Sequence, residues 1–321
     1  MKKKEQGLRG SLTSYGDDGF SYFLRKSFAK SLGYRDDELE RPVVGIANTS
    51  SGMVSCHGTV PQLVEAVKRG VTAAGGLPME FPTIALGEPF LNPTSMLFRN
   101  LMAIDTEEMI RAHPVDAVVL IGGCDKTVPA QLMAAASADV PAVLLVTGPM
   151  MTGSHKGERL GACTDCRRLW GEHRGGRVDA EEIDEISGRL MPTSGTCMVM
   201  GTASTMACVT EALGMMLPGG AAIPAVHSDR LRNASESGAA AVRMIATGGP
   251  RPSEIITPAA ITNALRVLLA IGGSTNGVIH LAALAGRLGI EIDYDAFDRL
   301  GRETPVLVDL KPSGAHYMED L

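Results

Sequence analysis

Two short aliphatic runs, VDAVVLIGG (115–123) and DVPAVLLVTGPM (139–150), flank the segment CDKTVPAQLMAAASAD, and each run carries a glycine turn at its end. Neither run alternates polar with apolar residues, so each would be apolar toward both sides of a strand. A strand buried on both faces must lie between helices, and the alanine-rich segment separating the two runs has the length and composition of a helix. Strand, tight turn, helix and strand in that order predict a parallel sheet. The expected fold is α/β, with parallel sheets flanked by helices.

Neighbouring sequence extends the pattern. RPVVGIANTS (41–50) reads as a strand running into a polar loop, and PQLVEAVKRGVTAAGG (61–76) as an amphipathic helix closed by glycine. LPMEFPTIALG (77–87) is extended but interrupted by prolines, which suits strand plus loop better than a central strand. It delivers Glu88 at its end. NPTSMLFRNLMAIDTEEMIRAHP predicts one or two helices. Residues 151–200 read as loop-rich, apart from an acidic surface helix in VDAEEIDEISGRL (178–190). Helices are also expected in TASTMACVTEALGMMLPGG, SDRLRNASESGAAAVRMIATGG, TPAAITNALRVLLAIGG and, as the last, GVIHLAALAGRLGIEID. PVLVDLKPSGAHYMEDL then reads as a strand, a turn and the opening of a further helix.

Composition narrows the function classes. With 45% hydrophobic residues and a net charge of −6, the chain is globular and mildly acidic, which argues against a general nucleic-acid surface. No run reaches the roughly eighteen unbroken apolar residues that a membrane span requires. The start, MKKKEQGLRGSLTSYGDDG, has a basic tip with no apolar core behind it, so it is not read as a signal peptide. A cytoplasmic protein is expected. Six cysteines in 321 residues do not suggest a disulfide framework.

In open parallel sheets, ligands sit beyond the carboxyl ends of the strands, and Asn48, Glu88, Cys124 and Thr147 all fall at such ends. Cys56 (SGMVSCHG), Cys124 (IGGCDK) and Cys197 (TSGTCMVMG) each lie in a glycine-rich or polar loop, too far apart in sequence for a compact zinc motif. Three thiolates brought together from separate loops can hold a soft metal centre and leave a coordination place open. Buried packing is the plainer account of each cysteine taken alone. Glu88 and Asp125 suit a hard dication such as Mg²⁺. Lys126 is a poor ligand as an ammonium; it serves as counter-charge, as a base of lowered pKa or as a modified residue. A helix N-cap and a surface charge are the plainer roles for Asp125 and Lys126.

GGCDKTVP (122–129), MPTSGTCMVMGTASTM (191–206), ALGMMLPG (212–219) and GGSTN (272–276) occur in this order, and together they resemble the dihydroxy-acid and sugar-acid dehydratase family. The likeness runs through nearly the whole chain. It implies an enzyme with a 2Fe–2S cluster and Mg²⁺. By resemblance, Cys56, Cys124 and Cys197 hold the cluster with one iron open to substrate. Glu88, Asp125 and a carbamylated Lys126 hold the magnesium, so Lys126 and Asp125 also count among the catalytic residues. Residues 1–40 would form an N-terminal arm and oligomer contact, and residues 41–321 the cluster- and magnesium-binding α/β domain. The family's proton-abstracting serine belongs to a second, barrel-like domain that has no counterpart in these residues. The chain is thus expected to be the N-terminal part of such an enzyme, inactive by itself.

The segment EFPTIALGEPFLNPTSMLFRN resembles the aldonic-acid branch, whereas an Asp-Asp-Gly would be expected there in the branch of branched-chain amino-acid synthesis. A pentonate such as L-arabinonate is the substrate implied, converted to a 2-keto-3-deoxy acid. D-xylonate, gluconate and the branched-chain dihydroxy acid are alternatives. The lack of a phosphate-binding glycine loop disfavours a phosphogluconate. The partners implied are the sugar acid and further copies of the chain in a homodimer or homotetramer, with neither nucleic acid nor membrane.

Two rivals stand beside this reading: an inactive half-protein, and a thiol redox enzyme using Cys163 and Cys166 of ERLGACTDCRRLW. Arg159, Arg167 and Arg168 around that pair are able to attract an acid. Cys208 is read as core. His57 is either a loop histidine or a partner of the cluster site, and His227 stands at a possible strand end near the substrate. Ser274, Thr275 and Asn276 open a helix as its cap.

Overall fold

The structure, a computed structural model, describes residues 6–12, 15–162 and 164–321. Four parallel strands, β1 (Val43–Asn48), β2 (Leu77–Pro82), β3 (Ala117–Gly122) and β4 (Ala142–Val146), form one sheet in the order β2-β1-β3-β4. β2 is an edge strand, which explains how Pro78 and Pro82 are tolerated within it. The other edge is covered: Leu144 of β4 donates its N–H to the carbonyl of Met215 at 2.8 Å.

Alternation along the strands divides the core. Val44 and Ile46 of β1, Val119 and Ile121 of β3 and Leu145 of β4 face the helices Val60–Ala73 and Ser228–Thr247. Ala47, Val118, Leu120 and Leu144 point the other way. There they pack on the helices Arg99–Ala112, Thr127–Ala138, Thr202–Ala212, Pro258–Ala270 and Thr275–Arg287. The α/β reading holds, with helices on both faces as fully buried strands require.

The first pair of helices meets closely. A Cβ on Gly70 would stand 1.8 Å from the carbonyl oxygen of Ser235, so only glycine lets the backbones approach. Gly70→Ala is therefore expected to destabilise the fold by about 2 kcal/mol despite alanine's better helix propensity. Urea unfolding of the two proteins checks this, and an unchanged midpoint would contradict it.

Three expectations need correction. Residues 151–200 are not loop throughout: they contain a hairpin, Gly153–His155 with Glu158–Leu160, and the helix Asp165–Arg174. That helix buries little more than Leu169, so it carries hardly any apolar periodicity to read. A further helix, Tyr294–Glu303, follows the one expected to be last; Asp293 caps it by accepting from the N–H groups of Asp295 and Ala296. PVLVDLK forms no strand among the described residues. No sheet edge lies beside it; its Leu307 N–H bonds instead to the carbonyl of Ala270 at 2.7 Å, and Leu310 makes one isolated bridge to His316.

The described part of residues 1–40 contains the helix Asp18–Ser31 and packs Leu8, Ala29 and Leu39 on Val43 and Leu77. Among the described residues, no helix is long and apolar enough to cross a membrane.

Candidate active site

The strand order reverses direction between β1 and β3, and the crevice beyond the carboxyl ends at such a switch point is where ligands bind in open α/β sheets. Each strand supplies something to that crevice. Cys56 lies in the short turn Ser55–His57 after β1, Glu88 in the turn Glu88–Phe90 after β2, and Cys124, Asp125 and Lys126 directly follow β3. The chain leaving β4 pairs through Pro149 with Thr196, which brings Cys197 alongside. One cavity of about 360 Å³ is lined by Cys56, Glu88, Cys124, Asp125 and Cys197. Met53, Phe90 and Met191 stand at its wall with 49–71% of their surface exposed.

His57 fixes the first two cysteines relative to each other. Its ring is fully buried; Nδ1 donates to the carbonyl of Thr49 at 2.8 Å. Nε2 then accepts from the backbone N–H groups of Gly123 and Cys124, both at 3.1 Å. Burial pushes its pKa down to about 4, against which the Thr49 bond acts only weakly, so the ring is neutral as this bonding requires. The sequence allowed this partnership; it could not show the two N–H groups, because they lie 66 and 67 residues away.

The thiols converge. A hydrogen bond with Cys124, burial, and the neighbouring Cys124, Cys197 and Asp125 together push the Cys56 thiol far up from its ordinary value. The Cys124 thiol also donates to Asp125 Oδ1 at 3.4 Å. Several thiolates packed this tightly repel one another unless a cation sits among them, which is the chemistry of a soft-metal site.

Cys197 is positioned by three separate segments. The N–H of Gly195 bonds to the carbonyl of Ser55 at 3.3 Å, tying this loop to the turn of Cys56. Gly195 has φ +139°, and a Cβ there would approach the nitrogen of Met150 to 2.6 Å, so this position requires glycine. On the far side Met200 N–H bonds to Lys311 and Met318 N–H to Met198, each at 2.8 Å. The clasp is locked by Tyr317, whose hydroxyl receives a bond from Lys311 Nζ at 2.6 Å and gives one to Asp165 at 2.8 Å. None of these long-range partners was readable in sequence.

Glu88 and Asp125 also line the cavity, and Lys126 follows Asp125 directly. Lys126 is buried, and its Nζ pairs with Asp125 Oδ2 at 2.5 Å. Glu88 accepts from Thr94 Oγ1 at 2.9 Å, from Ser95 N–H at 3.0 Å and from the Ser95 hydroxyl. Burial raises its pKa, but these bonds and the charge of Lys126 outweigh it and hold the carboxyl below its usual value. Glu88 is thus an anion facing the Lys126 corner, a suitable donor for a hard dication.

Other sequence candidates fall elsewhere. Arg159 pairs with Glu319 and Asp320, and Arg168 with Glu158, Asp165 and Glu172, so their charge is neutralised on the spot. His227 is 55% exposed and caps a helix by accepting from Asp229. Ser274 caps its helix as expected and also bonds Thr202, a residue of the cavity wall, at 2.8 Å. Cys208 is half-buried against the core, and burial pushes its thiol up to about 11. Cys163 lies outside the described residues, while Cys166 packs against a separate small apolar cluster.

Among the described residues, no three His, Cys, Asp or Glu side chains already stand in metal-coordinating array. The donor types nevertheless fit two centres: soft thiols from three loops and two hard carboxylates line one cavity, and a buried lysine pairs with one of the carboxylates.

The chain is 47% identical over 307 residues to L-arabonate dehydratase of Azospirillum brasilense, covering 95% of this chain and 52% of that protein. It is 45% identical over 323 residues to L-arabinonate dehydratase of Rhizobium leguminosarum bv. trifolii, covering 100% and 56%. With 6-deoxy-6-sulfo-D-gluconate dehydratase of Pseudomonas putida it shares 41% over 319 residues, covering 99% and 55%. The chain therefore spans about half the length of the curated relatives it matches. Residues 41–321 match the family described as dihydroxy-acid/6-phosphogluconate dehydratase N-terminal, and the chain belongs to that family.

Proposed function

We propose that this chain is the cluster- and magnesium-binding part of a hydro-lyase that removes water from a 2,3-dihydroxy sugar acid, with a pentonate such as L-arabinonate as substrate. The observation that carries the reading is the convergence of Cys56, Cys124 and Cys197 with Glu88 and Asp125 on one cavity at the sheet's switch point, with the buried Lys126 paired to Asp125. The sequence around Glu88 favours the aldonic-acid branch, and the names of two relatives, L-arabonate and L-arabinonate dehydratase, support a pentonate.

In this reading the three thiolates hold a 2Fe–2S cluster, while Glu88, Asp125 and a carbamylated Lys126 hold Mg²⁺. When bound, the two groups supply Lewis acidity toward the departing C3 hydroxyl and toward the carboxylate and C2 oxygen of the substrate. The protein's own contributions are of another kind. His57 fixes the spacing of Cys56 and Cys124, the clasp around Tyr317 aims Cys197, and Thr94 with Ser95 keep Glu88 ionised. The side chains of Met53, Phe90 and Met191 give the cavity an apolar wall. Removal of the C2 proton is assigned to a serine outside this chain, so the chain alone is proposed to be inactive. The working enzyme is proposed to be a cytoplasmic homodimer or homotetramer.

A fusion of this chain to the C-terminal half of the Azospirillum relative tests the reading, after anaerobic loading with iron, sulfide and magnesium. Formation of 2-keto acid is followed for pentonates, hexonates and 2,3-dihydroxyisovalerate. Turnover is expected with pentonates foremost, and none for the chain by itself. A loaded fusion that converts only 2,3-dihydroxyisovalerate, or nothing, would refute it.

A further inference from the structure

His280 lies in the helix Thr275–Arg287, which packs on the helix beginning just after Lys126. Its side chain is fully buried. NH1 of Arg99 stands 2.9 Å from His280 Nδ1, and a guanidinium has donors only, so Nδ1 must accept. A neutral imidazole that accepts at Nδ1 carries its proton on Nε2. That nitrogen has no partner, nor has Nε of Arg99. The charges acting on the ring are those of Arg99 and Lys126, both positive. A buried donor thus has two cations acting on it and no acceptor among the described residues. Such a group calls for an unseen acceptor.

An oxygen carried on Lys126 would supply it. We infer that His280, oriented by Arg99, is a positioning residue that donates from Nε2 to a carbamate oxygen on Lys126. The inference rests on the reading of Lys126 as a carbamylated magnesium ligand. The modification balances without any oxidant: the lone pair of neutral Lys126 Nζ forms a bond to the carbon of CO₂, and a C=O π pair becomes an oxygen lone pair. One N–H proton leaves, and Asp125 Oδ2, 2.5 Å away, is its nearest acceptor. The new group is an anion. It meets the donor on His280 and converts repulsion among buried cations into attraction.

Carbon-13 NMR of the full chain equilibrated with ¹³C-bicarbonate reads the carbamate directly, without turnover. Wild type is expected to show its carbonyl resonance and Lys126→Met to lack it. His280→Leu should need about ten-fold more bicarbonate for equal occupancy, and His280→Gln, which restores an N–H, should recover most of the loss. Nitrogen-15 spectra of histidine-labelled wild type should show the His280 proton on Nε2, a measurement independent of how well any variant folds. Equal occupancy in His280→Leu, or a proton on Nδ1, overturns the role of His280. Absence of the resonance from wild type overturns it together with the Lys126 reading beneath it.

Discussion

Cys124→Ser is expected to abolish stable iron–sulfur loading. Cys124 is buried at the end of β3, bonded by its thiol to Cys56 and Asp125, and it is the cysteine that links the soft side of the cavity to the hard one. A serine oxygen is a harder and more basic donor, poorly matched to iron held with sulfide. Losing a ligand outright should exceed the loss from removing an outer hydrogen-bond partner, so an affinity drop of about a hundred-fold or more is expected. Anaerobic reconstitution, followed by iron and acid-labile sulfide per chain, measures it. Cys166→Ser should load like wild type. The opposite pattern, loading that survives Cys124→Ser and fails in Cys166→Ser, would transfer the chemistry to the second cysteine pair.

The second large effect concerns His57. His57→Leu leaves the N–H groups of Gly123 and Cys124 buried without an acceptor, so the metal-free chain should lose about 4 kcal/mol of stability near pH 7.5. The pH dependence has a definite sign. The folded-state pKa lies near 4, below the ordinary 6.5, so the unfolded chain binds the extra proton between these values. Stability contributed by the neutral ring is fully present above pH 6.5 and is lost as pH falls toward 4, by at most about 3 kcal/mol. Urea unfolding across that range should show wild type and His57→Leu drawing together as the solution is acidified. Parallel curves would mean that the ring is not held neutral.

The sheet was legible because β3 and β4 are apolar toward both sides, a pattern with few other solutions. Cys56, Glu88 and Cys124 could be placed near one another because each follows a strand and parallel strands end together, whereas Cys197 follows none and is brought in by the pairing of Thr196 with Pro149. What remained hidden depends on contacts across long stretches of chain. His57 gave no local sign of its role beyond its place after Cys56, since its partners follow β3. Arg159 looked available to an anion until Glu319 and Asp320 were seen, 160 and 161 residues away, and Arg168 is met by Glu158, Asp165 and Glu172 close by in the chain. His280 sits mid-helix like any core residue, and only its bond to Arg99, 181 positions earlier, reveals which nitrogen is left over.

The bond pattern of His57 has a consequence for assembly. Because the Cys56 turn and the Cys124 turn share one imidazole, the chain itself ties together the turns that carry two of the three sulfurs proposed as cluster ligands. The third is carried by a loop whose outer support, residues 311 and 318, comes from the far end of the chain. Residues 311 and 318 must therefore fold back onto this loop before the third sulfur is held, whereas the first two are tied together by residues 49–124 alone.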